Sequence, residues 1–170
     1  MSVALRAGAA RDFAALAEFW VAAWAATGFD IDFEARRPWL LRHLAQLVEE
    51  GAEIVVACAD GGAPVGFVTL DRRTGYLDQL CVAPAAQRQG VAAALIAEAK
   101  RLAPGRLELH VNVENPRARA LYQRAGFVVA AEAVSALSGR PTLLLTWTDP
   151  QNGVFGFRKD EEAATPYPIA

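Results

Sequence analysis

The sequence predicts a single domain of the mixed α/β (α+β) class, with a central, mostly antiparallel sheet of about six or seven strands and helices on both faces. Three observations carry this. Two segments of helical period come first, a run of apolar segments joined by hairpin signals follows, and a strand–helix–strand crossover comes after them. The chain has 170 residues, 54% of them hydrophobic and 21% charged. A chain of that length buries roughly 70% of its unfolded surface, so no disulfide or metal staple is needed.

Val3–Arg6 reads as a short opening strand. Asp12 then precedes a helix that runs to about Ala26, where Thr27-Gly28 breaks it. Its large residues Phe13, Leu16, Trp20 and Trp24 recur at helical spacing and form one apolar stripe. The apolar stretch Phe13 to Phe29 is only about 17 residues long and carries Glu18, so it predicts a globular helix and not a membrane span. After Phe29–Phe33, Pro38 opens a second helix with Leu40, Leu44, Leu47 and Val48 inward, closed by Glu50-Gly51.

The period then changes. Glu53–Ala59 and Val65–Asp71 are strands joined through Asp60–Pro64, and Gly75–Val82 is a third. A loop leads to a helix from about Gly90 to Leu102, which Pro104-Gly105 stops. Arg106–Val113 alternates, with Leu107, Leu109 and Val111 on one face and Glu108, His110 and Asn112 on the other. A short helix, Pro116–Ala125, ends at Gly126, and strands Phe127–Val134 and Thr142–Thr148 flank Ser138–Pro141. The predicted domain is residues 1–148, and 149–170 read as a tail with little structure of its own.

Seventeen Lys and Arg stand against nineteen Asp and Glu, a net charge of −2. That balance predicts no general affinity for nucleic acid, which calls for a basic excess. Cys58 and Cys81 lie inside apolar runs with neither CxxC spacing nor a neighbouring His, so no metal site is expected and buried reduced thiols are. Together these features predict a cytoplasmic protein.

The stretch from Val82 to Ala92 carries the strongest chemical signal. A strand ends, a turn follows, and small residues open a helix at Gly90. Consecutive main-chain N–H groups at a helix start form an anion site, strengthened by the helix dipole. Arg88 adds a full positive charge, so a phosphate-bearing ligand fits. No GxxxxGK[ST] or GxGxxG motif is present, which excludes the common nucleotide and dinucleotide loops.

A second stretch, Asn115–Phe127, follows the next strand. Together the two resemble the GNAT superfamily of acyl-CoA-dependent N-acyltransferases. The first matches its [QR]-x-x-G-x-[GA] pattern at Gln87, Gly90 and Ala92. The second matches N-x-x-A-x-x-L-Y-x-x-x-G-F at Asn115, Ala118, Leu121, Tyr122, Gly126 and Phe127. The order of elements agrees from about Val3 to Thr148.

The resemblance implies acetyl-CoA as cosubstrate, with direct acetyl transfer to an amine of a small molecule or peptide in a ternary complex. It implies a diphosphate held by the loop Gln87, Arg88, Gln89, Gly90, Val91, Ala92 and Ala93. It implies a pantetheine arm laid along Leu80, Cys81 and Val82, with an N–H near Leu80 aimed at the acetyl oxygen where that strand bulges. Tyr122 takes the position that protonates the departing thiolate, and Asn115 contacts the pantetheine or caps its helix. Arg124 is a further candidate for the coenzyme phosphates.

The base that deprotonates the amine stays open between Asp78, Glu108, His110 and a water chain. Asp78 has the same strand parity as Leu80, so alternation points both at the reacting carbonyl. Cys81 lacks an adjacent base or cation and is expected to be inert, and His43 is expected to be structural. Trp24, Phe29 and Asp30 are the acceptor-site candidates, and aromatics with a carboxylate suit a cationic amine with apolar bulk. The apolar first helix and last strands point to a homodimer. An acyl-CoA-binding sensor without turnover is the alternative reading.

Overall fold

The computed structural model describes residues 3–136 and 138–151. From residue 152 on, the predicted tail lies outside the described residues. Seven strands form one sheet in the order β1-β2-β3-β4-β5-β7-β6. They are β1 (Ala4–Ala7), β2 (Glu53–Cys58), β3 (Pro64–Asp71), β4 (Tyr76–Val82), β5 (Arg106–Asn112), β6 (Val128–Val134) and β7 (Pro141–Thr148). Every neighbouring pair is antiparallel except β4 and β5. Helices α1 (Phe13–Ala25) and α2 (Arg37–Glu49) cover one face, and α3 (Val91–Leu102) with α4 (Pro116–Arg124) covers the other.

Strand alternation divides the core between the two faces. Ile54, Val56, Phe67 and Cys81 pack with Leu16, Trp20, Trp24, Leu40 and Leu44 under α1 and α2. Val55, Val68, Leu70, Leu80 and Val82 pack with Val91, Leu95 and Tyr122 under α3 and α4. The stripe read on the first helix is therefore core, with Leu16 and Trp20 at most 1% exposed. Val48 departs from the reading. It is 46% exposed, and Glu49 and Glu50 beside it at the end of α2 are exposed too.

Two local devices place the elements around β4. Gly66 lets α3 close on the sheet, since a Cβ there would stand 3.0 Å from Val91 and 3.1 Å from the Cys81 carbonyl. Lys100 on α3 donates to the Ala125 carbonyl and stands 4.4 Å from the Trp147 ring centroid, tying α3 to the end of α4 and to β7.

β4 and β5 run parallel but are paired at a single register position, Tyr76 with Glu108. The Glu108 N–H donates to the Gly75 carbonyl at 3.0 Å. Beyond that anchor the strands diverge toward their C-terminal ends and leave a wedge. β4 also carries a bulge. Val68 pairs with Leu80 and Leu70 with Leu77, so Asp78 and Gln79 both stand opposite Thr69. The Gln79 N–H is satisfied there by Thr69 Oγ1 at 2.8 Å.

Gly75 is what lets the strands touch at the closed end. Its φ is +76°, and a Cβ would lie 2.2 Å from the Arg106 carbonyl oxygen. Gly75→Ala should therefore destabilise the fold by roughly 2–4 kcal/mol, through backbone displacement as well as φ strain. Its urea midpoint should drop accordingly, whereas an alanine at Gly61, which has open space around it, should cost far less.

Candidate active site

The loop after β4 is built to present main-chain donors. A short 3₁₀ turn, Pro84–Ala86, redirects the chain, and Gly90 with φ of 85° caps α3. Arg88 adopts φ of 62°, a left-handed conformation rare outside glycine. Such a residue costs about 1–3 kcal/mol and persists where the surroundings impose it. Gln87 supplies part of that imposition, its side-chain amide donating to the Val82 carbonyl at 3.1 Å. Gln89 does likewise to the Ala85 carbonyl at 2.8 Å.

With both glutamines turned onto the backbone, the amides face outward. Among the described residues none accepts a hydrogen bond from the main-chain N–H of Arg88, Gln89, Gly90, Val91, Ala92 or Ala93. The first N–H of the helix to bond inside it is that of Ala94, to Gly90 at 3.0 Å. Successive unengaged amides at the positive end of a 12-residue helix form an anion cradle.

This cradle is one end of a cleft of about 530 Å³. Gln87, Arg88, Gly90, Val91, Ala92 and Ala93 line that end, and Leu80 and Val82 of β4 form its floor. α4 adds Asn115 and Arg117 from its start and Arg124 from its end, so with Arg88 three arginines line the cleft. Asn115 also caps α4, its Oδ1 accepting from the Ala118 N–H at 3.1 Å. The opposite wall is the end of α1 with Ala23, Ala26, Thr27 and Phe29. Phe29 is the acceptor-site candidate named from the sequence, whereas Ala23, Ala26 and Thr27 escaped, because small residues at a helix end carry no chemical signal.

Several expected residues stand elsewhere. Cys81, Gln89 and Tyr122 do not line the cleft. Asp30 is exposed and lines neither the cleft nor the smaller cavity beside it, and Asp32 caps the following turn through the Ala35 N–H at 3.0 Å. Trp24 lines that smaller cavity. Asp78 corrects the parity reading. The bulge puts it on the opposite face from Leu80, under α2, where its Oδ1 meets His43 Nε2 at 2.6 Å. The alternation argument failed because a bulge inserts one residue and turns every later side chain over.

Around Asp78 a polar chain runs through the α1/α2 face. Trp20 Nε1 donates to Gln79 Oε1 at 3.0 Å, and Gln79 Nε2 donates to Asp78 Oδ1 at 3.1 Å. His43 stacks on Trp39 at 4.6 Å. On β5, His110 Nδ1 meets the Tyr76 hydroxyl at 3.0 Å, while Glu108 is paired with Arg106. Residues 43 and 78 are far apart in sequence and on different elements, so spacing could not have revealed their contact.

Burial sets the protonation of the remaining groups. Tyr122 is 0% exposed and packs edge-on against Phe127, and its hydroxyl has no partner among the described residues. Desolvation pushes this phenol well up, so it stays protonated. The same effect holds the Cys81 thiol protonated and inert. Desolvation moves His110 the other way, below the ordinary imidazole range, with Glu108 opposing it in part.

A parallel pair joined at one register position, a bulged strand and an open row of amides at its end define a site shaped for an anionic ligand. The chain belongs to the acetyltransferase (GNAT) family, whose model matches residues 13–127, and it is an acyltransferase. Among solved structures it is similar to apo YjaB from Escherichia coli, with 25% identity over 86% of this chain and 97% of that one and a TM-score of 0.71. A GCN5-related N-acetyltransferase from Rhodopseudomonas palustris gives 20% identity, coverages of 87% and 96%, and a TM-score of 0.69. A phosphinothricin acetyltransferase from Sinorhizobium meliloti, in complex with AcCoA, gives 18%, 91%, 96% and 0.68 in the same order. These last two likenesses concern the fold. No curated protein matches the chain by sequence. Among the described residues no helix is long and apolar enough to cross a membrane.

The lowered pKa of His110 has a consequence for stability. Above about pH 6.5 the imidazole is neutral both folded and unfolded, so it contributes no pH dependence. Below that value the unfolded chain takes up the proton more readily, and folding stability should fall as the pH drops. Urea midpoints compared between pH 7.5 and 5.5 should show this loss, and His110→Gln should shrink it.

Proposed function

We propose that the protein transfers the acetyl group of acetyl-CoA directly to the nitrogen of a small-molecule amine in a ternary complex. The observation that carries this is the row of unengaged amides from Arg88 to Ala93 at the mouth of a cleft floored by Leu80. The diphosphate rests on those amides, with Arg88, Arg117 and Arg124 supplying countercharge. The pantetheine arm follows Leu80, Cys81 and Val82 into the wedge, pairing with the main chain, and brings the thioester to Leu80.

The amine nitrogen then attacks the thioester carbonyl. The oxygen takes the electron pair as an oxyanion, and the main-chain N–H of Leu80 donates to it. One such donor is worth about 3–4 kcal/mol. When the intermediate collapses the C–S bond breaks, and the Tyr122 hydroxyl gives the sulfur its proton. A donor that is buried, protonated and unpartnered suits that task. Asp78, held to His43 at 2.6 Å on the other face of β4, does not line the cleft, so the amine proton leaves through a chain of water in the cleft. Cys81, 1% exposed with its thiol held protonated, takes no covalent part.

Acetyl-CoA at about 100 times its dissociation constant should add roughly 2.7 kcal/mol of stability, read as a raised melting temperature. Gly90→Val should abolish most of that shift, because valine resists the left-handed conformation. Tyr122→Phe should lower kcat by roughly 10²–10⁴ while leaving the acetyl-CoA dissociation constant nearly unchanged. A melting shift without thiol release in the presence of any amine would overturn transfer and leave a binding module.

A further inference from the structure

The bulge in β4 decides which way the main chain faces as well as the side chains. Successive residues of a strand present their N–H and C=O groups to its two neighbours in turn. The Gly75 carbonyl accepts from Glu108, so Gly75 faces β5. Unbroken alternation from there would face Gln79, Cys81 and Ala83 toward β5 and turn the Leu80 N–H onto β3. The opposite holds. The Gln79 N–H meets Thr69 Oγ1 at 2.8 Å, and the Ala83 N–H meets the Val65 carbonyl at 2.8 Å, both on β3. One inserted residue has exchanged the sides, and the N–H groups of Leu80 and Val82 face the wedge.

A side chain pins that insertion. Val68 pairs with Leu80 and Leu70 with Leu77, which leaves Thr69 between them without a Cα partner on β4. Its hydroxyl fills the place by accepting from Gln79. Thr69 and Gln79 are each 1% exposed, so the bond lies out of solvent, where an unmade one is costly. Gln79 is braced from the helical layer too, since its side chain accepts from Trp20 Nε1 and donates to Asp78. Those bonds fix its side chain. Thr69 fixes its main chain, one residue before the Leu80 N–H.

We infer that Thr69 is a positioning residue for acetyl transfer: its Oγ1 holds the insertion at Asp78–Gln79 and so keeps the Leu80 N–H aimed into the wedge, at the acyl oxygen. The assignment rests on the transfer reading above. Thr69 does not line the cleft and acts only through the strand. Without its hydroxyl the Gln79 N–H has lost a buried acceptor. The strand recovers one by shifting the insertion, and any such shift swings the Leu80 N–H off its line.

Thr69→Val removes the acceptor at nearly the same shape, and Thr69→Ser keeps it. Thr69→Val should lower kcat by roughly 10², with the KM for acetyl-CoA changed less than about twofold. Thr69→Ser should stay within about threefold of the unaltered protein in both. Infrared spectra of bound acetyl-CoA, isotopically labelled at the acyl carbonyl, read the donor without turnover. The thioester stretch should lie lower in the unaltered protein and in Thr69→Ser than in Thr69→Val, because only the first two aim the Leu80 N–H at the oxygen. A kcat that Thr69→Val retains, an equal fall in both variants, or one stretch common to all three would overturn the assignment. Should Thr69→Val fail to fold, Thr69→Ala makes the same comparison. If no amine releases thiol from the unaltered protein, the transfer reading fails, and the stretch still decides whether Thr69 aims the donor.

Discussion

The single parallel contact between Tyr76 and Glu108 governs the rest of the molecule. Parallel neighbours ordinarily run paired along their length, and a sheet that zipped β4 to β5 would have no interior opening. Here the strands meet at one end only, held by the Gly75 carbonyl and a backbone approach that tolerates no side chain. From that hinge point the wedge widens toward the C-terminal ends of both strands. The loop before α3 and the start of α4 close around the same opening.

The anion loop shows how such a site is kept in readiness. Six amides without partners among the described residues, a left-handed arginine and a positive helix end would be liabilities elsewhere. The fold offsets them locally. Gln87 and Gln89 tether the turn, Gly66 lets α3 seat deeply, and Lys100 holds the far end of α3 to α4. The donors are therefore fixed before any ligand arrives, and little reorganisation remains to be done on binding.

Much of this was legible in the chain. Alternation in Arg106–Val113 gave the faces of β5 correctly, and the stripe from Leu16 to Trp24 is core. The helix start at Gly90 and the cap at Asn115 fall where residue chemistry placed them. What escaped was anything set by a register change or by distant contact. The resemblance implied a bulge in this strand, but not that its inserted residue lies at Asp78–Gln79 and turns Asp78 away from Leu80. The pairing of Asp78 with His43 joins two elements that packing alone brings together. Arg140 read as part of a turn, because only the folded hairpin carries it to Phe29. Asp30, whose type suggested a role, has its side chain in solvent.

The outermost strand imposes a handling property on the protein. β6 ends the sheet, and Val128, Val129 and Val134 are 64%, 58% and 68% exposed. Its outer row of main-chain groups has no neighbouring strand among the described residues, and Glu132 is the one charge along it. Edges of that kind recruit strands from other molecules as concentration rises. Glu132 serves as its gatekeeper, and dilute, low-salt storage, where like charges repel over a longer range, preserves that protection best.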